Sequence, residues 1–392
     1  MNSTNSETLV SIIVPTYNRS ELLRRAINSL LQQETEGKFS YEIIIIDDAS
    51  TDETREVIGE IIKHSPDLVR YVKGQGKGYT CALNRGLAES HGEWVALFDD
   101  DELANPDWLK ELYAYAMQIG AQCVGGRREL ALPEEIISGL GPVCRGLLGE
   151  ALPKDEEREC NYRCHPGGGH MLIQRTVIND VGGFDETLLT GGCDRDLVLR
   201  AYDAGYKMGR TPKAVVQHLI SPRRITPDHI KWYSLQFGSS FAQIDWKRWG
   251  RLKTVLACLA RIGQALLVNL PLLFWAFLRG NKPEILDRKA LLWRAVGYIR
   301  RTLFLLAPRV FSQERFLGRL EFRKEREMVT KDSTNVAKQK SGMVEKWNGG
   351  IVEKRNNGKM RRDATGSSLF VFTSWLKPVI IYGTKAYGLE EH

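Results

Sequence analysis

The stretch WVALFDDDE, residues 94–102, runs from five mostly apolar residues straight into four consecutive acids. A short, continuous apolar run reads as a strand buried on both faces, so its end carries a cluster of like charges. Burying one unpaired carboxylate costs several kcal/mol or forces it to take up a proton. Asp99, Asp100 and Asp101 therefore need a positive partner or full solvation.

The same pattern recurs upstream. LVSIIVP (9–15) is a β-branched run stopped by proline, YEIIIIDDAS (41–50) is a second apolar run ending in acids, and another strand is expected near 68–72. Between them, SELLRRAINSLLQQ (20–33) places Leu23, Ala26, Ile27 and Leu30 at helical spacing, with Ser20 as the expected N-cap. STDETREVIGEIIKH (50–64) opens a second helix, and a third is expected over 82–88. Fully apolar strands alternating with helices predict an α/β, Rossmann-like, mostly parallel sheet flanked by helices on both faces. Ligands bind such sheets at the carboxyl ends of the strands. Residues 15–19, Asp47-Asp48 and 99–101 all stand at such ends, so three distant segments should meet in one crevice.

Further along, GGGHMLIQ (167–174) gives a Gly-rich turn and a short strand. CDRDLVLRAYDAGYKMG (193–209) reads as a helix with Asp194 and Asp196 in its first turn, where the helix dipole favours negative charge, and AVVQHLISP (214–222) as a last strand. The catalytic-type domain is expected to span 1–245. Residues 246–324 read as a helical, membrane-associating extension, because IGQALLVNLPLLFWAFL (262–278) is uncharged and flanked by Trp246, Trp249, Arg251, Lys253, Arg261 and Arg279. At 17 residues it is shorter than the roughly 20 of a spanning helix, which leaves an interfacial, re-entrant or spanning segment open. ALLWRAVGYIRRTLFLLAPRVF (290–311) is a second basic amphipathic stretch, and 325–392 reads as a polar linker and tail.

Composition sets the limits. The 392 residues carry 43% hydrophobic and 26% charged side chains, which excludes wholesale disorder and a many-pass membrane protein. A net charge of +7, dense after Lys247, suits a solvated face or an anionic membrane surface, and no nucleic-acid module is present. The seven cysteines, an odd number scattered along the chain, read as reduced thiols of a cytosolic compartment. CNYRCH (160–165) lacks the second ligand pair of a zinc site, and the first 18 residues lack a signal-peptide pattern.

Chemistry is then expected at the strand ends. Alternate carboxylates of the 99–101 cluster can hold a divalent cation that bridges to phosphate oxygens. One acid of Asp47-Asp48 can cap the following helix, or a carboxylate there can accept from the ring N–H of a nucleobase, while residues 15–19, with Pro15, Thr16, Tyr17 and Arg19, offer amides and an aromatic face. GQGKGYT (74–80) is not a P-loop, since Tyr71 and Gly78 break that spacing, but Lys77 can reach a diphosphate.

Together these segments resemble glycosyltransferase family 2, an inverting group with the GT-A fold, over about 10–245. SIIVPTYNRSELLRRAINSLLQQ is similar to its opening strand and helix, IIIIDDASTDET to its nucleoside-binding acids, and VALFDDDE to its metal motif. GGFDETLLTGGCDRDLVLRAYDAGY is similar to the segment carrying its base. The resemblance implies a nucleoside-diphosphate sugar donor, UDP foremost, with Mn2+ or Mg2+, and a glycan or lipid-linked acceptor at the cytoplasmic membrane face. It implies Asp48 on the base, Thr16 and Tyr17 around the nucleoside, and Asp99 and Asp100 on the donor. Asp99, Asp101 and His218 would hold the metal, and Asp194 would be the general base. Cys193 stands where the family usually has glutamate, and Asp196 is the alternative base. Other readings are a nucleotidyltransferase on a similar sheet, a non-catalytic sugar-nucleotide binder, or a membrane scaffold.

Overall fold

The computed structural model describes residues 8–151, 157–161, 165–188 and 191–311. The expected tail, 325–392, and Cys164 of the CNYRCH segment lie outside the described residues.

The first half alternates as the apolar runs require: β1 (Leu9–Thr16), α1 (Ser20–Leu30), β2 (Ser40–Asp47), α2 (Thr54–His64), β3 (Val69–Lys73), α3 (Tyr79–Glu89) and β4 (Trp94–Phe98). β1 pairs in parallel with β2 on one side and β4 on the other, and β3 extends the parallel set. Successive residues of β2 serve opposite cores. Ile43 and Ile45 join Leu23, Ile27 and Trp108, whereas Ile44 and Ile46 join Leu83, Met171 and Val198. Each such side chain contributes about 1.5–3 kcal/mol when fully buried, so the central strands tolerate no polar face.

The second half departs from the expected parallel order. After β4 the chain turns through Asp99–Asp101 into β5 (Glu102–Ala104), then makes α4 (Trp108–Ile119), β6 (Cys123–Leu130), α5 (Glu134–Ile137), α6 (Pro142–Leu147), β7 (Arg158–Glu159) and β8 (His170–Gln174). α7 (Arg175–Val181), α8 (Cys193–Asp203) and β9 (Met208–His218) follow. The sheet runs β3-β2-β1-β4-β8-β6-β9-β5, with β7 on β9. β8 is antiparallel to both β4 and β6, and β5 is antiparallel to β9. β6 and β9 pair in parallel, so the sheet is mixed. Ser20 is the first residue of α1 and not its cap. Arg19 holds the cap position, and no side chain bonds there.

α9 (Pro227–Gln264) starts from Thr226, whose hydroxyl accepts from His229 N, and runs on with a kink at Gly250, where φ is 74°. A π-helical turn leads into α10 (Leu270–Leu278), and α11 (Lys282–Leu306) folds back along α9. The boundary expected at 245 falls inside α9. The two long helices meet at Gly238 and Gly297, where an added Cβ would lie 2.0 Å from Arg294 O and 2.1 Å from Leu235 O. Tyr298 donates to Asp245 at 2.7 Å, and Asp287 of α11 accepts from the amides of Val143 and Cys144 at the start of α6. Ile230 and Ala290 are buried in one cluster with Leu130, Leu147 and Ile220.

One face of this helical unit is bare. Leu252, Leu256, Leu259, Leu266, Leu270, Phe274 and Leu278 recur every three to seven residues and are all exposed, Leu252 at 73% and Phe274 at 65%. The apolar stripe therefore begins nearly three turns before the segment at 262. The helix 227–278 is long and apolar enough to cross a membrane, with a best window of mean hydropathy 1.7 that is 11% buried.

Candidate active site

The acids after β4 find their positive partners in three arginines from distant segments. Arg19 Nη1 donates to Asp100 Oδ1 at 2.6 Å and to Asp101 Oδ2 at 2.8 Å. Arg224 Nη1 donates to Asp101 Oδ2 at 3.1 Å, and Arg128 Nη1 donates to Glu102 at 2.9 Å while lying 3.9 Å from Asp99. Thr16 donates to Asp100 Oδ2 at 2.8 Å, and Tyr79 OH to Asp99 Oδ1 at 2.8 Å.

The four acids consequently differ in charge. Burial would raise Asp101, but the guanidinium groups of Arg19 and Arg224 hold it well below the usual carboxylate range. Burial, with the charge of Asp101, pushes Asp99 up to about 6. Glu102 is fully buried and is pushed up to about 8 by burial despite Arg128. Arg128 stands between Glu102 and Asp99, bonded to the first and 3.9 Å from the second.

Asp48 is buried at the end of β2, where its two oxygens accept from the amides of Lys77 at 3.1 Å and Gly78 at 2.7 Å. That carboxylate shapes the loop leading to Tyr79, and it retains acceptor positions for a base, since an ionised carboxylate offers about four. The Lys77 side chain is exposed. Pro15 and Tyr17 are buried, so the expected aromatic stacking face is not presented. The amide of Asn18 is also taken, by Ser50 Oγ at 2.9 Å, because the loops after β1 and β2 bond to each other.

Residues 167–169 join the acid cluster to α8. Gly168 N donates to Asp194 Oδ2 at 2.6 Å. A Cβ on Gly169 would stand 2.4 Å from the Asp99 carboxyl and 2.7 Å from its amide nitrogen. Gly168 itself has φ +79°, the left-handed region, beside the Arg128 guanidinium. Asp194 and Asp196 lie in the first turn of α8, as the helical reading requires, yet only Asp194 faces this segment. Asp196 accepts from Arg200 Nε at 2.9 Å, and Arg200 in turn holds the carbonyls of Val181 and Gly183. Cys193 is buried beneath, its thiol pushed up to about 12 by burial and by Asp194.

The expected metal ligands are only partly gathered. His218 ends β9 opposite Glu102, and its Nε2 is 3.4 Å from Asp101 Oδ1. Burial lowers His218 to about 4, so the ring is neutral. Its Nε2 accepts from Arg224 Nη1 at 3.2 Å, because a guanidinium can only donate, which puts the lone pair on the nitrogen a cation would use. Asp99 points instead to Tyr79 and Arg128, since it leaves the strand before the turn that carries Asp101. Among the described residues no three His, Cys, Asp or Glu side chains form a metal cluster. Asp101 and His218 are a fitting pair for a hard cation whose other positions are filled by phosphate oxygens and water.

Sequence reasoning missed Tyr79, Arg128 and the glycines as parts of this site. The signals were there: an aromatic directly after the GQGKG loop, and two arginines inside the otherwise ordinary strand at 123–130.

Residues 11–140 match the family model described as Glycosyl transferase family 2. Among curated proteins, Glycosyltransferase AglE of Haloferax volcanii is 26% identical over 205 residues, 52% of this chain and 65% of its own length. The Succinoglycan biosynthesis protein ExoO of Rhizobium meliloti is 32% identical over 217 residues, 52% of this chain and 59% of its own. An uncharacterized protein of Sinorhizobium fredii, y4gI, is 33% identical over 231 residues, 55% of this chain but 25% of its own. The chain thus spans between a quarter and about two thirds of the length of these relatives. Among solved structures, the mannosyltransferase PcManGT of Pyrobaculum calidifontis, in complex with GDP-Man and Mn2+, superposes with a TM-score of 0.53 at 18% identity. That likeness covers 75% of this chain and 88% of the other, and it carries the fold: a mixed α/β sheet of the GT-A kind with flanking helices.

Proposed function

We propose that this chain, whose residues 11–140 match the model of glycosyl transferase family 2, is a member of that family and transfers a sugar from a nucleoside-diphosphate sugar to a hydroxyl acceptor with inversion at C1. The observation that carries this reading is the bridge at 167–169, which seats Asp194 on one side and Asp99 on the other at the carboxyl ends of the parallel strands. In this reading Asp48 and the loop it shapes take the base, and the charge of Arg128 and the side chain of Lys77 face the diphosphate. A divalent cation on Asp101 and His218 would neutralise charge building on the leaving diphosphate. Asp194 takes the proton of the acceptor hydroxyl as it attacks from the opposite side. Asp196 is tied to Arg200 and has a structural part.

Isothermal calorimetry with UDP and GDP, each with and without Mn2+, tests the donor site. Binding of one nucleotide that depends on the metal and is lost in Asp101→Asn is the expected result. Equal binding in the variant, or no binding of either nucleotide by folded protein, turns the reading towards the non-catalytic alternatives.

We place the enzyme at the cytoplasmic membrane face, where it would meet a glycan or lipid-linked acceptor, with the bare stripe from Leu252 to Leu278 against the lipid. Arg251, Lys253 and Arg279 are exposed near that stripe, and near an anionic surface each contributes about 1 kcal/mol. Leu267 is 79% exposed. The double variant Leu267→Asp, Phe274→Asp should lose at least about tenfold in binding to phosphatidylglycerol vesicles on co-sedimentation, because two exposed apolar contacts become charged. Unchanged sedimentation would remove the lipid from this reading.

A further inference from the structure

Arg224 occupies the place between the two groups best suited to a cation. Its Nη1 is 3.1 Å from Asp101 Oδ2 and 3.2 Å from His218 Nε2, and those two residues approach each other to 3.4 Å. A metal on this pair needs Asp101 Oδ1, which faces His218, and the single lone pair of Nε2, which Arg224 now uses. Both cannot be served at once.

The two arginines on Asp101 are not equivalent. Arg19 also bonds Asp100 and stands at the start of α1, so it has an anchor that a metal would not disturb. Arg224 lies on the short 3-10 turn Pro222–Ile225 between β9 and α9, with a side chain 23% exposed, and its two side-chain partners are the groups in question. A long guanidinium on such a turn has a path towards solvent.

We infer that Arg224 is a displaceable counter-ion: it and a divalent cation exclude each other at Asp101 and His218, and the freed guanidinium moves onto the diphosphate of the donor. The second half of this inference rests on the donor site proposed above; the first half does not. Metal alone must then spend part of its binding energy on freeing Arg224, whereas a nucleotide diphosphate gives that side chain a new anionic partner. The two ligands are coupled, and the coupling is reciprocal.

The test is the variant Arg224→Gln, compared with the unaltered protein by calorimetry, with Mn2+ alone and then with UDP and GDP at saturating Mn2+. Removing a charge-assisted hydrogen bond that competes with the metal should tighten Mn2+ alone by about tenfold, and losing the phosphate partner should weaken the nucleotide by about tenfold. Arg224→Lys keeps the charge and should move both constants less than the glutamine variant does. Mn2+ binding that appears only in Arg224→Gln also supports the inference. An unchanged or weaker Mn2+ constant overturns the exclusion, and so does absence of Mn2+ binding in every form; a nucleotide constant that stays the same or tightens overturns the transfer to phosphate. If the unaltered protein binds neither nucleotide, the donor site fails, while the Mn2+ series still decides the exclusion. Thermal unfolding of each variant checks that the fold is kept.

Discussion

Replacing Asp194 with Asn should lower sugar transfer by about three orders of magnitude, within the range of general-base contributions, and leave nucleotide affinity within about twofold. The amide keeps an oxygen that can accept from Gly168 N, now at 2.6 Å, so the bridge at 167–169 and the start of α8 stay in place. What is lost is the basic carboxylate alone. Turnover is read as release of nucleoside diphosphate in the presence of an accepted hydroxyl compound, and affinity by calorimetry on the same preparation. Transfer that falls less than about tenfold would exclude Asp194 as the base, since general-base catalysis is worth more than that. Asp196 would not then inherit the role without releasing Arg200, which holds the loop at 181–183.

The second large effect is expected at Gly169. An alanine there places a methyl 2.4 Å from the Asp99 carboxyl and 2.7 Å from the Asp99 amide nitrogen, both far inside contact distance. Neither neighbour yields cheaply: the amide belongs to the end of β4, and β4 is locked to β8 through the Phe98–His170 pair. Relief must come from moving Asp99 or the bridge. We expect a loss of about 1–3 kcal/mol in urea unfolding, the usual cost of overpacking. Sugar transfer should fall at least about a hundredfold, since displacement of a positioned group by 1 Å costs that much. Gly168→Ala is the comparison: its cost arises from the left-handed backbone and from Arg128, so it should affect stability through a different contact. Wild-type stability and turnover in Gly169→Ala would mean that the close approach to Asp99 is unimportant.

These residues also show where the sequence could be read and where it could not. β1, β2 and β4 declare themselves because strands buried on both faces must be apolar throughout, and their carboxyl ends then place Thr16, Asp48 and Asp99 together with no knowledge of side-chain contacts. His218 at the end of β9 and Asp194 in the first turn of α8 were legible as positions, while their roles came only from the family resemblance. Pairing across long separations is another matter. β5 has three residues and starts with a fully buried glutamate, so nothing local announces that it will lie on β9. The positive charge that compensates 99–102 was foreseen as a metal, whereas the structure supplies Arg19, Arg128 and Arg224 from three separate segments. Which arginines meet those acids is fixed by strand order and not by any feature of the arginines themselves. Tyr17 misled for a related reason: a polar PTYNR loop looks exposed, whereas Tyr17 is buried and Asn18 beside it is bonded to the loop after β2.

Asp287 ties these scales together. Its carboxylate, on the last long helix, completes the hydrogen bonding of two amides on α6, a helix that follows β6 of the catalytic-type sheet. Each amide left orphaned by its removal would cost about 1–3 kcal/mol. The long helices α9 and α11 therefore cannot be exchanged for others as one swaps a detachable module. A graft at 245 would inherit a sheet with an uncapped helix and an uncovered patch around Leu130 and Ile220, so the sheet and these helices must change in step.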